Sequence, residues 1–526
     1  MENATRPKLA NLGPNLRNAE STEAAHALLK GVIDSYPPTE IVTELARTEW
    51  DSPTQVIDII DQSGLLPKPT RTVESATIYF YTLGTGGGER VTKDIANIWK
   101  GMGLDSYILL DKLPDNPDEI PAAIPCSEIP NFFGINADNY ALRATSLAAK
   151  MEAANTDAFV FAHWYVRTLP FDLLLLRLLG IRTYIYIQNS FTLFFLDNDL
   201  PSDYVDIPLS YILANAVICL SEMDKVFWSN FTRDVIRANN PITLEPRSSG
   251  CALKGHNIIW PARLHHDKSP ERAIPIMNEL VKSVPDAKLY MVGPCAPEME
   301  PIMRNLIAQY GLQSNIVLCG AQPEDKMRTW YEKCDAFLLG TLKEGYPLVL
   351  AEAQACGLPC VMYNLPYLTL ANSEGVISVP QGNYKMAAKQ LEILLTDKEK
   401  AQEIGEKGRL FITKLAKERQ DEFWLKLFSG NQSFDPVRSE DFAIKRMLAR
   451  ELMTAHRWHY RDAEETRQVE IDRISNLEQE KTQLENAIAQ LKDELSGFDD
   501  SPSYKIGRAI TYIPRRIRDF AQGIRK

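Results

Sequence analysis

No apolar run in the chain approaches the roughly 18 residues that read as a membrane-spanning helix. Residues 1–18 have no apolar signal-peptide core either, so a cytoplasmic protein is expected. Cys-x-x-Cys pairs are absent. The cysteines, Cys126, Cys219, Cys251, Cys295, Cys319, Cys334, Cys356 and Cys360, are scattered, most of them inside apolar runs such as Val217-Ile218-Cys219-Leu220. That usage reads as buried thiols in a reducing compartment, not as a disulfide frame. His265-His266 and His456/His459 have no Cys or carboxylate set at ligand spacing, so no metal is expected. Nor is there a basic excess: the formal charge of −11 speaks against a general nucleic-acid binder.

A length of 526 residues exceeds one ordinary core, and the 45% hydrophobic and 24% charged content is that of a soluble globular protein. Residues 1–70 read as a helical accessory segment, with Ser52-Pro53 as a helix start and Leu65-Leu66-Pro67-Lys68-Pro69 as a linker. From there short apolar runs alternate with helical stretches. Strands are expected at 77–82, 106–110, 158–162, 183–187 and 216–220, then at 257–260, 288–292, 316–318, 336–339, 359–362 and 376–379. Two such series predict two doubly wound α/β domains, 71–250 and 251–430, with a seam near 241–255. Ligands bind such sheets beyond the strands' carboxyl ends, so two facing sheets make a cleft.

The densest chemistry lies in Glu344-Gly-Tyr-Pro-Leu-Val-Leu-Ala-Glu352, after one strand and opening a helix with Pro347 near its first position. A helix start offers free N–H groups and the positive end of a dipole to a diphosphate. Glu344 on the loop and Glu352 inside the helix can hold two sets of hydroxyls on one extended ligand. A glutamate embedded in Val-Leu-Ala-Glu-Ala is a costly core residue unless it is paired. Upstream, Arg263 and Lys268 stand five apart after another strand and offer two cations to phosphate.

With Cys356-Gly357-Leu358-Pro359 following the second glutamate, this pattern resembles family four of the retaining glycosyltransferases of GT-B fold. Ala214-Asn-Ala-Val-Ile-Cys-Leu-Ser-Glu222 and Asn240-Pro241-Ile242 are similar to that family's last first-domain strand and its interdomain entry. The resemblance spans roughly 76–430 and implies two Rossmann-like domains facing a cleft. It implies sugar transfer from a nucleotide-diphosphate sugar to an acceptor hydroxyl with retention, without a bound cofactor or metal. Glu352 would bind the ribose and Glu344 the donor sugar. Arg263 and Lys268 would stabilise the departing diphosphate, helped by the stretch Gly345, Tyr346, Pro347 and Leu348. In the first domain Gly84-Thr-Gly86-Gly87-Gly88-Glu89-Arg90 would be the glycine-rich loop, with Gly86, Gly87 and Gly88 near the donor, and His163 would contact the donor sugar.

The glycine run is neither a P-loop nor a dinucleotide fingerprint, since Glu89-Arg90 stands where further motif residues would be required. His163 taken alone reads equally as a structural histidine. Asp197-Asn198-Asp199 reads as a solvated acidic loop, not a metal-binding pair. Gln188-Asn189-Ser190 stands where the family often has a second histidine. Two rival readings stay open: another GT-B enzyme such as a sugar-nucleotide epimerase, and a membrane-associated, non-catalytic scaffold.

Residues 431–498 are expected to be helical. Ile474, Leu477, Leu484, Ile488, Leu491 and Leu495 give a short coiled-coil seam, interrupted by Lys481, that would make a homodimer through 474–498. Residues 503–526 carry seven basic side chains against Asp519, a net +6 that leaves −17 on the rest. On a helix, Ile506, Ile510, Ile513, Ile517, Phe520 and Ile524 form one stripe. The tail 499–526 therefore reads as an amphipathic element for the cytoplasmic face of a membrane, and the acceptor as a glycan or lipid-linked glycan of the cell envelope.

Overall fold

A computed structural model describes residues 8–49, 54–84, 86–131, 137–192, 206–247, 255–430 and 439–500. Asp197, Asp199, Ser52-Pro53 and the tail 501–526 lie outside the described residues, as do the side chains of Ile474, Leu491 and Leu495. The chain divides into a unit of residues 1–454 and a second of 455–526.

The first unit is built on two parallel sheets. The first contains β1 (Ser75–Phe80), β2 (Asp105–Leu110), β3 (Cys126–Glu128), β4 (Ala158–Phe161), β5 (Arg182–Tyr186), β6 (Ala216–Cys219) and β7 (Val235–Arg237), in the order β3-β2-β1-β4-β5-β6-β7. The second contains β8 (Asn257–Pro261), β9 (Lys288–Val292), β10 (Ile316–Gly320), β11 (Ala336–Leu339), β12 (Cys360–Tyr363) and β13 (Val376–Val379), in the order β10-β9-β8-β11-β12-β13. This is the GT-B architecture, two doubly wound domains in one chain. Every strand expected from the sequence is present, with ends within two residues. β3 and β7, three-residue strands at the two edges of the first sheet, were not expected from the sequence. Central strands such as β4, Ala-Phe-Val-Phe and wholly buried, read as apolar runs because helices cover both faces.

One apolar cluster lies on the outer face of the first sheet. The helices Leu12–Arg17, Thr22–Ser35, Pro38–Glu49 and Thr54–Ser63 bring Leu16, Leu29, Leu45 and Ile57 against Phe159, Phe161 and Ile185. The helix that starts at Ser439 adds Phe442, Ala449 and Met453 to the same cluster. It is pinned there by a buried ion pair. Arg446 Nη2 lies 2.8 Å from Asp58 Oδ1, the two residues being 7% and 5% exposed. Arg446 also donates to the Phe231 carbonyl (3.1 Å), and Arg450 reaches Asp58 from the next turn. Further along, Leu477, Leu484 and Ile488 are 55%, 64% and 50% exposed.

A second cluster ties the two sheets together. The helix Gln420–Phe428 leaves the second domain and lays Trp424 edge-on against Trp99, ring centroids 5.1 Å apart, while Tyr184 Oη donates to the Leu427 carbonyl at 3.3 Å. Trp99, Tyr186, Tyr331, Tyr346 and Leu350 all belong to this cluster. The domain seam is therefore a packed core, and it holds the carboxyl-end loops of one sheet against those of the other.

Removing one partner of a buried pair leaves the other charge stranded, typically at a cost of about 3–5 kcal/mol. Asp58→Ala should therefore lower the thermal midpoint sharply and detach the start of the 439–454 helix. Limited proteolysis before and after Ser439 would report the detachment.

Candidate functional site

Both sheets reverse strand order once, between β1 and β4 and between β8 and β11. Such switch points open a crevice at the strands' carboxyl ends. The sequence-predicted residues gather there: Gly86, Gly87 and Gly88 follow β1, His163 follows β4, Arg263 and Lys268 follow β8, and Glu344 follows β11.

In the second domain Lys268 Nζ lies 2.8 and 2.9 Å from the two oxygens of Glu344. Glu344 is 7% exposed, and its backbone N–H donates to Tyr367 Oη at 3.3 Å. Lys268 closes a short 3-10 turn, His266–Lys268, and Ser269 then takes a left-handed conformation (φ 48°) that costs a non-glycine residue on the order of 1–3 kcal/mol. Arg272 Nη1 donates to the Gly340 carbonyl at 3.0 Å and so braces the end of β11. Arg263 is exposed, and among the described residues its side chain has no ion-pair partner.

Eight residues beyond Glu344, Glu352 sits in the helix Leu348–Ala355 and is 6% exposed. Its Oε2 accepts from Tyr331 Oη at 2.7 Å, and its Oε1 accepts from Arg90 of the first domain. Arg90 also lies 3.0 Å from Glu324, 2.6 Å from Thr243 Oγ1 and 3.9 Å from Asp94. Burial works against the Arg90 charge, but the neighbouring Glu352 and Glu324 hold its pKa above the usual arginine value. Burial pushes Asp94 up to about 6 against the pull of Arg90.

His163 stands on a buried polar network. Its Nδ1 lies 3.4 Å from Asp111 Oδ2, and its ring lies 5.7 Å from that of Tyr79. Asp111 accepts from Tyr79 Oη (2.8 Å) and from Arg143 Nη1 (3.0 Å). Arg143, 2% exposed, also donates to Asp172 at 2.9 Å. Burial alone would raise the Asp111 pKa; the neighbouring His163, the Arg143 charge and the Tyr79 hydroxyl overcome it and hold the carboxyl below its ordinary value. Asp111 thus places a carboxylate beside the imidazole at the end of β4.

Two helix starts meet across the seam. Gly86 is the N-cap of the helix Gly87–Gly101, and Pro347 is the N-cap of Leu348–Ala355. First-turn N–H groups of both helices lack intrahelical acceptors and present positive dipole ends. A Cβ on Gly87 would lie 3.9 Å from Leu348 Cδ1, so the glycine loop lies over the other helix start. A Cβ on Gly88 would meet the tip of the Phe80 ring at 2.8 Å, so a side chain there requires that ring to move. Gly345 packs on the other domain: its Cβ would come within 2.6 Å of the Gln188 carbonyl and 2.8 Å of Asn189 Cα. Tyr346 is 7% exposed and joins the seam cluster, so its side chain serves packing and only its backbone is available to the crevice.

The partners of these residues, within and across the domains, were not expected from the sequence. Arg90 was expected only as the end of the glycine-rich loop and as a departure from phosphate-loop motifs, and Tyr331, Glu324, Asp111 and Arg143 carry no spacing that marks them. Nor was a carboxylate expected for His265 and His266. The fold supplies Glu298, with ligand atoms of the three residues within 4.8 Å of one another on the surface.

Residues 243–411 match the family model described as Glycosyl transferases group 1. An uncharacterised glycosyltransferase of Haemophilus influenzae is 25% identical over 41% of this chain and 62% of its own length. An exopolysaccharide phosphotransferase of Streptomyces coelicolor is 30% identical over 41% of this chain but 22% of its own length. The chain thus spans less than two thirds of either relative. Among solved structures, Anabaena HepE in complex with UDP-glucose superposes with a TM-score of 0.56 at 12% identity, covering 68% of this chain and 98% of that one.

Gly345→Ala should wedge the Glu344 loop away from Gln188. We expect soluble, folded protein with turnover down by about tenfold or more, since small displacements of positioning groups are costly. Wild-type turnover in this variant would show that the contact does not position the loop.

Proposed function

We infer, for a chain that belongs through residues 243–411 to the glycosyl transferases group 1 family, that it moves a sugar from a nucleotide-diphosphate sugar to an acceptor hydroxyl with retention of configuration. One observation carries the reading. Glu344 and Glu352, 7% and 6% exposed on one loop and helix, are each matched to a cation at facing switch points instead of being absorbed into a core. Two such carboxylates suit an extended ligand rich in hydroxyls at both ends.

On this reading Glu352 takes the ribose hydroxyls and Glu344 those of the donor sugar. Arg263 and Lys268, with the helix start at Leu348, take the diphosphate. The backbone of Gly86, Gly87 and Gly88 closes over the ligand from the first domain. His163 donates to or accepts from the sugar at the end of β4. The acceptor oxygen bonds to the anomeric carbon on the face from which the phosphate departs, and the acceptor proton passes to the leaving phosphate oxygen. The protein supplies positioning and preorganised charge. No metal enters this reading, since the diphosphate charge is met by side chains and a helix end.

The acceptor proposed is a glycan or lipid-linked glycan of the cell envelope. A basic tail at 503–526 would bring a cytoplasmic enzyme to an anionic membrane face, and pairing of the 474–498 helices would double that attachment. Exposure of Leu477, Leu484 and Ile488 leaves the seam open to a second copy.

A panel of nucleotide sugars, assayed for donor hydrolysis and transfer, tests the reading. Lys268→Ala should cut turnover by roughly a hundredfold, as removal of preorganised charge does. Glu352→Ala should weaken donor binding by about 1.5–3 kcal/mol, the usual worth of a charged hydrogen bond. Consumption of no donor at all would favour the scaffold, and interconversion without transfer would favour an epimerase.

Transfer should also persist in excess chelator. Complete loss, restored by magnesium or manganese, would bring a metal into the mechanism.

A further inference from the structure

We propose that Arg90 is an interdomain latch on Glu352, displaced when a nucleotide ribose takes that carboxylate, so that nucleotide binding and release of the first domain's glycine-loop helix are one event. The inference rests on the reading of Glu352 as the ribose acceptor.

Glu352 is held from two sides. Tyr331, fully buried, donates to Oε2 from the core of the second domain. Arg90 covers Oε1 from the crevice side, and it comes from a residue 262 positions earlier in the chain, on the other domain. Little of the carboxylate remains exposed beyond these two contacts. A ribose approaching along the crevice meets the guanidinium first, and Tyr331 cannot yield without disturbing the core. The arginine is therefore the partner that gives way.

Displacement does not strand the cation. Glu324, itself 66% exposed, lies 3.0 Å from Arg90 Nε, and Asp94 lies 3.9 Å away with its Oδ2 buried and otherwise lacking a hydrogen-bond partner. Both contacts already exist while Arg90 holds Glu352, so the guanidinium keeps anionic neighbours when it leaves that carboxylate. A cation held by several carboxylates, one of them shared with the ligand, can give up that one without being stranded.

The latch is coupled to the site through its backbone. Arg90 lies in the first turn of the helix Gly87–Gly101, two residues after Gly88. Its other anchor, Thr243, lies where the chain enters the second domain. Holding Glu352 therefore fixes the glycine loop against the helix start at Leu348. Releasing it frees the loop to adjust to a diphosphate. Thermodynamically the latch competes with nucleotide: a latched population of nine in ten lowers the apparent affinity about tenfold.

Calorimetric titration of the full chain with UDP, GDP and ADP tests this, using wild type, Arg90→Ala, Arg90→Lys and Glu352→Ala, alongside thermal melts with and without nucleotide. The latch predicts that Arg90→Ala binds nucleotide about tenfold more tightly than wild type, the factor set by that population shift. It also predicts that Arg90→Ala melts lower without nucleotide and that the difference closes at saturation. Arg90→Lys, which keeps the charge and loses the planar fork, should bind with intermediate affinity, and it carries the test if the alanine variant does not fold. Weaker binding in Arg90→Ala would overturn the latch and make Arg90 a direct nucleotide contact. Unchanged binding in Arg90→Ala, with weakened binding in Glu352→Ala, would overturn the latch and leave the donor reading intact. Unchanged binding in Glu352→Ala, or no binding by any of the proteins, would remove the ribose assignment and the latch with it.

Discussion

A glutamate with 6% of its surface exposed must find a donor or a cation, because an unpaired buried carboxylate costs far more than a domain can spare. Glu352 finds one of each, Tyr331 from behind and Arg90 from the opposite domain. That requirement organises much of the first unit. Arg90 reaches Glu352 only if the carboxyl ends of the two sheets face each other. They do so only because the seam between them is a core, closed by Trp424 against Trp99 and by Gly345 against the Gln188 backbone. The apolar seam supplies the stability, and the polar contacts set which loops meet.

The fold was legible in the sequence where burial writes a short-range pattern. β4 and β11 are four-residue apolar runs because both faces are covered, and that signal survives without any knowledge of neighbours. β3 and β7 gave no such signal. Cys-Ser-Glu and Val-Ile-Arg are edge strands with one open side, too short and too mixed to separate from loop. The same distinction applies to the 439–454 helix. The sequence marks it as helical, but its docking on the first domain depends on Asp58, 388 positions away from Arg446.

The candidate site was legible one domain at a time. Glu344, Glu352, Arg263 and Lys268 sit at strand ends and a helix start, where local spacing carries information. Arg90, Tyr331, Asp111 and Arg143 act through partners that only tertiary structure brings together. Arg90 in particular is an ordinary basic residue of an amphipathic helix until the second domain is placed against it. His163 shows both cases: its position after β4 can be read locally, whereas the Asp111 carboxylate beside its Nδ1 cannot.

The pairings inside the crevice also bear on how a highly charged ligand could enter it. Lys268 is matched to Glu344, and Arg90 to Glu352, so the buried acids are compensated within the protein. A nucleotide-diphosphate sugar would exchange partners instead of creating charge: diphosphate for Glu344 on Lys268, ribose for Arg90 on Glu352, sugar hydroxyls on Glu344. Each exchange replaces one polar contact with another, so little of the binding energy goes to desolvating an uncompensated ion. Arg263, exposed and without an ion-pair partner among the described residues, is the exception. On the proposed reading it would be the first cation to meet an incoming phosphate, before the buried pairs part.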